Sequence, residues 1–343
     1  VKPVFSLDTP SGLDADSGRI SQVAITADVT MSFIGLKRGL FMSKARDVAG
    51  DIVFKPLIAG HLSVHGDFWA TCLSDQWIEN VRPTRHNSFH KGDAGHVGVV
   101  GGFRGMPGAV ALSGLAALRS GAGRVTVGCF PDNAESVAAM SPELMVKPLM
   151  IADDVHQLLE SVDVAVIGPG LGLTDWSKKI FHHSIQTTVP KVVDADALTL
   201  LEANRQVLTD AVLTPHPGEA ARMLGINVGC LEGDRPSALE ALLAKFNSIA
   251  VLKGAGTLIG RANGEKLICD RGNPGMATAG MGDVLSGMIG GLMSQGLPAF
   301  EAAGAGVWLH ASAGDLIAKN AGPVGMLASD LIRQVPYLSS RLR

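Results

Sequence analysis

The feature that most narrows the fold is a repeated three-part unit: a short β-branched apolar run, a glycine or proline turn, then a helical stretch. Val97–Gly101 (VGVVG) leads through FRGMPG into the alanine-rich Ala109–Ser120. Arg124–Cys129 reads as the next strand, and Val162–Gly168 (VDVAVIG) as another before the turn PGLG. Lys191–Asp194, Ala211–Thr214 and Ile249–Lys253 continue the series, and helical patterns at Gly282–Gln295 and Ala299–Lys319 close it. Strands covered by helices on both faces are continuous apolar runs rather than alternating ones. The pattern predicts an α/β fold with a doubly wound, mostly parallel sheet and ligands at the carboxyl ends of its strands.

Composition removes several function classes. Hydrophobic residues make up 46% of the 343 positions and charged residues 18%, enough apolar mass for a large core. The net charge of −3 offers no basic field for a nucleic-acid backbone or an anionic membrane. No apolar stretch reaches the ~18 residues of a membrane span. Cys72, Cys129, Cys230 and Cys269 are far apart with no CxxC pair, which argues against a disulfide framework or a zinc site. The opening VKPVFSLDTPSG lacks the regions of a secretion signal, so a cytoplasmic location is expected.

Residues 1–60 differ in kind. Val4–Leu7 is a strand running into DTPSGLDADSGR, and Ala27–Ile34 is a second. Two or three strands without crossover helices do not make a self-standing parallel sheet, so this stretch reads as a partial α/β remnant. Residues 61–74 read as a linker, overlapping a joint at Phe54–Cys72, and residues 75–343 as the main domain.

The chemistry is concentrated in Gly272–Gly287, GNPGMATAGMGDVLSG. Glycines 272, 275, 280 and 282 precede an apolar helix, with Asp283 at or near its start. Free backbone N–H groups at such a loop and helix mouth favour an anion, most simply a phosphate. An aspartate there is placed to take a proton from a hydroxyl. Read alone, Asp283 is as well explained as a helix cap. Lys253–Thr257 (KGAGT) follows a buried strand and is a second glycine loop suited to a nucleotide, or a plain strand-to-strand turn.

Other residues admit bland readings. His90, Lys91 and Asp93 fit a solvated loop as well as a phosphate contact. Asp194 and Asp196 end a strand in a ligand position, though Asp196 reads equally as a helix cap. His182 and His183 have no second ligand cluster, and the methionines of Met276–Met293 are most simply core.

Seven motifs occur in order: HKGDAGHVGVVGG (His90–Gly102), GMPGAVALSGLAALRSGAG (Gly105–Gly123), VIGPGLG (Val166–Gly172), DADAL (Asp194–Leu198), TPHPGEAARM (Thr214–Met223), KGAGT and NPGMATAGMGDVLSG. Together they resemble the NAD(P)HX dehydratase family, whose fold is ribokinase-like, over about residues 75–343. The resemblance implies nucleotide-driven removal of water from hydrated NADH or NADPH (NADHX, NADPHX). ADP serves bacterial and archaeal members, ATP eukaryotic ones, and ADP is favoured here. It further implies that Lys253, Gly254, Ala255, Gly256, Thr257 and Gly282 line the nucleotide site. Ala109, Gly170, Gly172, His216 and Asp283 would line the hydrated-cofactor site, with Asp283 the catalytic base. Magnesium is expected from the charge of phosphoryl transfer, with no ligand set assignable, and a homo-oligomer, as large as a tetramer, from the family.

The first 60 residues resemble the closing part of the NAD(P)HX epimerase domain. That likeness implies a substrate contact at Asp8 and a potassium ligand at Ser11. The domain's amino-terminal glycine/asparagine loop has no counterpart, so epimerase activity is not expected of the chain as given. Two alternatives stand beside the dehydratase: a small-molecule kinase of the same superfamily, acting on a vitamin precursor or sugar alcohol, and a non-catalytic nucleotide-binding protein.

Overall fold

The computed structural model describes residues 2–57, 68–204, 208 and 211–341. Three short strands, β1 (Phe5–Leu7), β2 (Val29–Phe33) and β3 (Asp51–Lys55), form a parallel sheet in that order. Ten more form one large sheet: β4 (Thr71–Cys72), β5 (His96–Gly101), β6 (Arg124–Cys129), β7 (Met145–Pro148), β8 (Val164–Ile167), β9 (Lys191–Val193), β10 (Ala211–Leu213), β11 (Ile249–Leu252), β12 (Thr257–Gly260) and β13 (Lys266–Cys269). Their order is β4-β13-β12-β11-β10-β9-β8-β5-β6-β7, and β12 alone runs against its neighbours.

The continuous apolar runs are explained by what each strand faces. Val99, Val166, Val192, Val212 and Val251 enter a core shared with helices Pro107–Arg119, Met281–Met293 and Ala299–Ala321. Their neighbours Val100, Ile167, Val193, Leu213 and Leu252 enter a second core under helices Asp175–Ile185, Pro217–Leu224 and Arg235–Phe246. Alternate side chains point to opposite faces, and both faces are dry. Met281, Met288 and Met293 are buried in the first core, and Met276 packs half-buried against it.

Two sequence expectations need amending. Thr71–Cys72, placed in the joint, is the edge strand of the large sheet, paired with β13, so that sheet begins before residue 75. Residues 58–67 of the joint lie outside the described residues. The remnant's third parallel strand is β3, and the link to it from β2 holds the turn Arg38–Phe41 and the short helix Ala45–Val48, where strands without a crossover helix were expected. Leu40, Phe41, Met42, Ala45 and Val48 sink into the second core of the large domain, which is how so small a sheet is held. All four cysteines are free, and no described helix is long and apolar enough to cross a membrane.

Candidate active site

The strand order reverses beside β5: β6 and β7 extend to one side, β8 to β11 to the other. Loops leaving adjacent strands diverge at such a point and open a crevice at the carboxyl edge. Here they are the turn after β5, which enters helix Pro107–Arg119, and Gly168–Gly172 after β8. The two are laced together. Gly102 N–H donates to the Pro169 carbonyl at 2.9 Å, and Phe103 N–H to that of Gly170 at 2.7 Å. A Cβ on Gly170 would lie 3.0 Å from the Cβ of Ala109. Gly172 N–H donates to Asp196 Oδ2 at 2.7 Å. Ala109, Gly170 and Gly172 therefore share one wall, and Asp196 ties down the wall's loop.

The charged groups stand beside it. Helix Met281–Met293 begins after Gly280, which has a left-handed φ of +86°, and Asp283 is its third residue. The first amides of a helix have no carbonyl partner inside it, so this mouth is electropositive. A Cβ on Gly282 would stand 3.1 Å from Lys253 Nζ and 3.5 Å from Asp194 Oδ2, so glycine keeps the mouth open. Lys253 Nζ lies 2.9 Å from Asp194 Oδ1 and 4.0 Å from Glu219 Oε2. Lys253 of the first glycine loop and Gly282–Asp283 of the second thus converge.

Burial, reinforced by the charges of Asp194, Asp196 and Glu219 and opposed by Lys253, pushes the Asp283 carboxyl up to about 7. Burial pulls Lys253 down, but Asp194, Glu219 and Asp283 outweigh it and hold the ammonium above its usual range. A charged lysine and a carboxyl poised near neutrality suit proton abstraction next to a phosphate. His310 Nε2 lies 2.9 Å from the Met281 carbonyl, and burial drops its ring to about 4. The ring is neutral at pH 7, with Nε2–H donating.

His216 caps helix Pro217–Leu224: its Nδ1 accepts from Gly218 N–H (3.0 Å) and Glu219 N–H (3.2 Å), while Glu219 Oε2 accepts from His216 N–H (2.8 Å). His216 therefore serves as a helix cap, and its Nε2 stands 3.4 Å from Glu219 Oε1. Lys253, Gly254, Ala255 and Gly256 form the β11–β12 turn and Thr257 opens β12, so the plain turn and the glycine loop are one object.

His90 and Asp93 bond each other in an exposed loop. His183 stacks edge-on with His182 and His156, and the described residues contain no group of three or more His, Cys, Asp or Glu able to hold a metal by themselves. Asp8, at the end of β1, accepts from Phe33 N–H at 3.1 Å and pairs with Lys37, whose hydrogen bond holds its carboxyl below the usual range. Ser11 is exposed and its carbonyl accepts from Ile25 N–H. Asp8 follows β1 of the small sheet and Ser11 lies in the turn beyond it, on other elements than Lys253 and Asp283. A cavity of about 350 Å³ between Phe54, Arg46 and Asp270 and another of about 280 Å³ beside Trp69 lie elsewhere too.

Glu219, His310 and Arg235 had no role in the reading of the sequence. Glu219 stands inside TPHPGE, where the spacing His216–Glu219 is that of a capping box. His310 and Arg235 sit on helices far along the chain and carry no local signal.

A doubly wound sheet, a crevice at its reversal point and an aspartate at a glycine-lined helix mouth define a ribokinase-like α/β protein. The chain belongs to the NAD(P)H-hydrate dehydratase family, whose model matches residues 97–337. Residues 1–39 match the family described as YjeF-related protein N-terminus. A Coxiella burnetii protein described as bifunctional NAD(P)H-hydrate repair enzyme Nnr is 44% identical over 98% of this chain, which spans 69% of that relative's length. A Neisseria meningitidis protein described as ADP-dependent (S)-NAD(P)H-hydrate dehydratase is 39% identical over 77% of this chain and 91% of its own. The Bacillus subtilis ADP/ATP-dependent NAD(P)H-hydrate dehydratase, co-crystallised with ATP and Mg2+, superposes with a TM-score of 0.72 at 27% identity, covering 80% of this chain and 99% of that one.

Proposed function

We propose that the chain dehydrates (S)-NADHX and (S)-NADPHX to NADH and NADPH, with ADP as the favoured co-substrate. The observation that carries this is Asp283 at the mouth of its helix, its carboxyl raised to about 7, with Lys253 beside Gly282. Asp283 takes the proton of the ring hydroxyl. The oxygen attacks the terminal phosphorus of the nucleotide, the bond to the remaining phosphate breaks, and AMP leaves with the electron pair. The ring nitrogen's lone pair then expels phosphate, and loss of a proton from the neighbouring carbon restores the dihydropyridine. Phosphate leaves far more readily than hydroxide, so the nucleotide drives a dehydration.

Lys253 supplies positive charge where the phosphoryl group would sit, and the free amides of helix Met281–Met293 supply the rest. Ala109, Gly170 and Gly172 form the wall against which the reduced ring would lie, with His216 at its margin. The acids at this edge, Asp194, Asp196, Glu219 and Asp283, outnumber Lys253, a balance that suits a divalent cation. Such a cation would be held by one or two of them together with nucleotide phosphates, and would neutralise phosphate charge. The resemblance of residues 1–39 supports an origin in an epimerase domain, with Asp8 and Ser11 as its contacts for substrate and potassium.

Incubation with hydrated NADH and ADP, following the absorbance of the reduced ring, tests the proposal. Recovery that requires nucleotide and is faster with ADP than ATP is expected. No recovery with either, alongside formation of a stable phosphate ester on an alcohol, would establish a kinase instead.

A further inference from the structure

Both glycine loops rest on one element from outside the large domain. Residues Phe41–Arg46 leave the small sheet and pass behind the first loop, then the second. At the first, Gly256 has φ +74°, and a Cβ there would overlap the carbonyl oxygen of Phe41. The absent side chain is thus required by the segment behind the loop. Ser43 N–H donates to the Ala255 carbonyl at 3.0 Å, and Ser43 Oγ to Glu232 Oε2 at 2.7 Å. Glu232 Oε1 in turn accepts from Arg235 Nη1 at 2.9 Å. Arg235, fully buried, donates Nη2 to the carbonyls of Leu252 (3.0 Å) and Lys253 (3.1 Å). An unbroken chain of bonds therefore runs from Ser43 to the backbone of Lys253.

At the second loop, the half-buried Arg46 donates Nη1 to the Arg271 carbonyl at 3.2 Å and Nη2 to that of Gly272 at 2.9 Å. The Gly272 N–H donates to Asp315 Oδ2 at 2.9 Å, and Asp315 Oδ1 accepts from Asn273 Nδ2 at 2.9 Å. Gly272 is thus gripped by a cation on one side and an anion on the other, at the root of the loop that ends in Asp283.

We propose that Arg46 is a positioning residue for the dehydration chemistry, and that Phe41–Arg46 is a brace fixing the two loops relative to each other. The proposal rests on the dehydratase reading, because it concerns the loops that reading uses. A guanidinium holds two carbonyls in a fixed fork, which water or a flexible ammonium does not. Misplacing reacting groups by about 1 Å can lower a rate about 100-fold, so a remote anchor of this kind is felt in turnover. By linkage, a nucleotide that orders the loops also tightens the brace.

The test uses the whole chain as wild type, Arg46→Ala and Arg46→Lys, with ADP binding by calorimetry and ring recovery measured well below the melting temperature. Arg46→Ala is expected to lower kcat about tenfold or more, the scale of a hydrogen bond from a charged donor, and to raise the KM for ADP. Arg46→Lys, which restores one donor, recovers part of the loss. ADP is expected to slow hydrogen exchange at the Ser43 amide of the wild type. Unchanged kcat and KM in Arg46→Ala, or exchange at Ser43 indifferent to bound ADP, overturns the brace. If Arg46→Ala does not fold, the lysine variant and the exchange measurement still decide. A wild type that binds ADP without restoring the ring sinks the dehydratase reading alone, and exchange at Ser43 then judges the brace.

Discussion

Lys253 Nζ and Asp194 Oδ1 meet at 2.9 Å across β10, the strand that separates the two strands carrying them. Asp194 is 1% exposed, so its charge is bearable only because the ammonium answers it. The pair forms the floor on which Gly282 rests, and everything charged at the carboxyl edge is arranged around it.

Removing the lysine leaves a buried carboxylate unpaired. Lys253→Met is expected to destabilise the fold by about 3–5 kcal/mol, the usual cost of breaking a buried pair from one side. Denaturant melts measure this. A loss within the error of the wild type would mean that the fold does not depend on this pair.

Asp283→Asn is expected to lower kcat for ring recovery by about 10²–10⁴-fold, the range for loss of a general base. ADP binding, followed by calorimetry, should persist, because the amide fits the same helix mouth. Undiminished turnover would remove Asp283 from the chemistry.

The same carboxyl sets two opposite pH dependences. As a base it works deprotonated, so kcat/KM should rise with pH through about 7, and this limb should vanish in Asp283→Asn. For stability the sign reverses. The folded state holds the proton up to about 7 while an unfolded aspartate releases it near 3.8, so between those values the native state binds more protons. Its contribution is complete below the lower value and is lost as pH rises through the upper one. Melts of wild type and Asp283→Asn across pH 4 to 8 should diverge in that sense, with the wild type losing ground toward neutrality. Because Lys253 draws the Asp283 carboxyl down, Lys253→Met should also shift any residual activity limb to higher pH.

His216 offers a separation of capping from contact. His216→Ala should cost about 1 kcal/mol as two amides lose their acceptor, and His216→Asn should restore most of it. If His216 also touches the hydrated cofactor, His216→Asn will keep a raised KM for it despite restored stability. Equal KM values in wild type and His216→Asn would leave His216 as a cap only.

The sheet was legible because its evidence is local. Val97–Gly101 and Val164–Gly168 are apolar at every position, Arg124–Cys129 is broken only by Arg124 and Thr126, and a strand buried on both faces calls for such runs. Four strands escaped. Thr71–Cys72 is two residues long, and MVKP at β7 mixes a lysine and a proline into an edge. The β12–β13 hairpin was signalled by Asn263–Gly264, a turn pair that the parallel scheme overshadowed.

What the sequence determined by itself was the order of chemical motifs, and hence the fold class and the family, because glycine loops and helix starts are written in contiguous residues. What only the tertiary structure decided was which of them share space. Lys253, Asp194, Glu219 and Asp283 come from four separate elements, and the carboxyl of Asp283 is raised by burial and by the charges of Asp194, Asp196 and Glu219, against the pull of Lys253. Arg46 and Gly272 are 226 residues apart, and nothing in either neighbourhood announces the other. Charge and burial depend on distance through space, and distance along the chain does not record them.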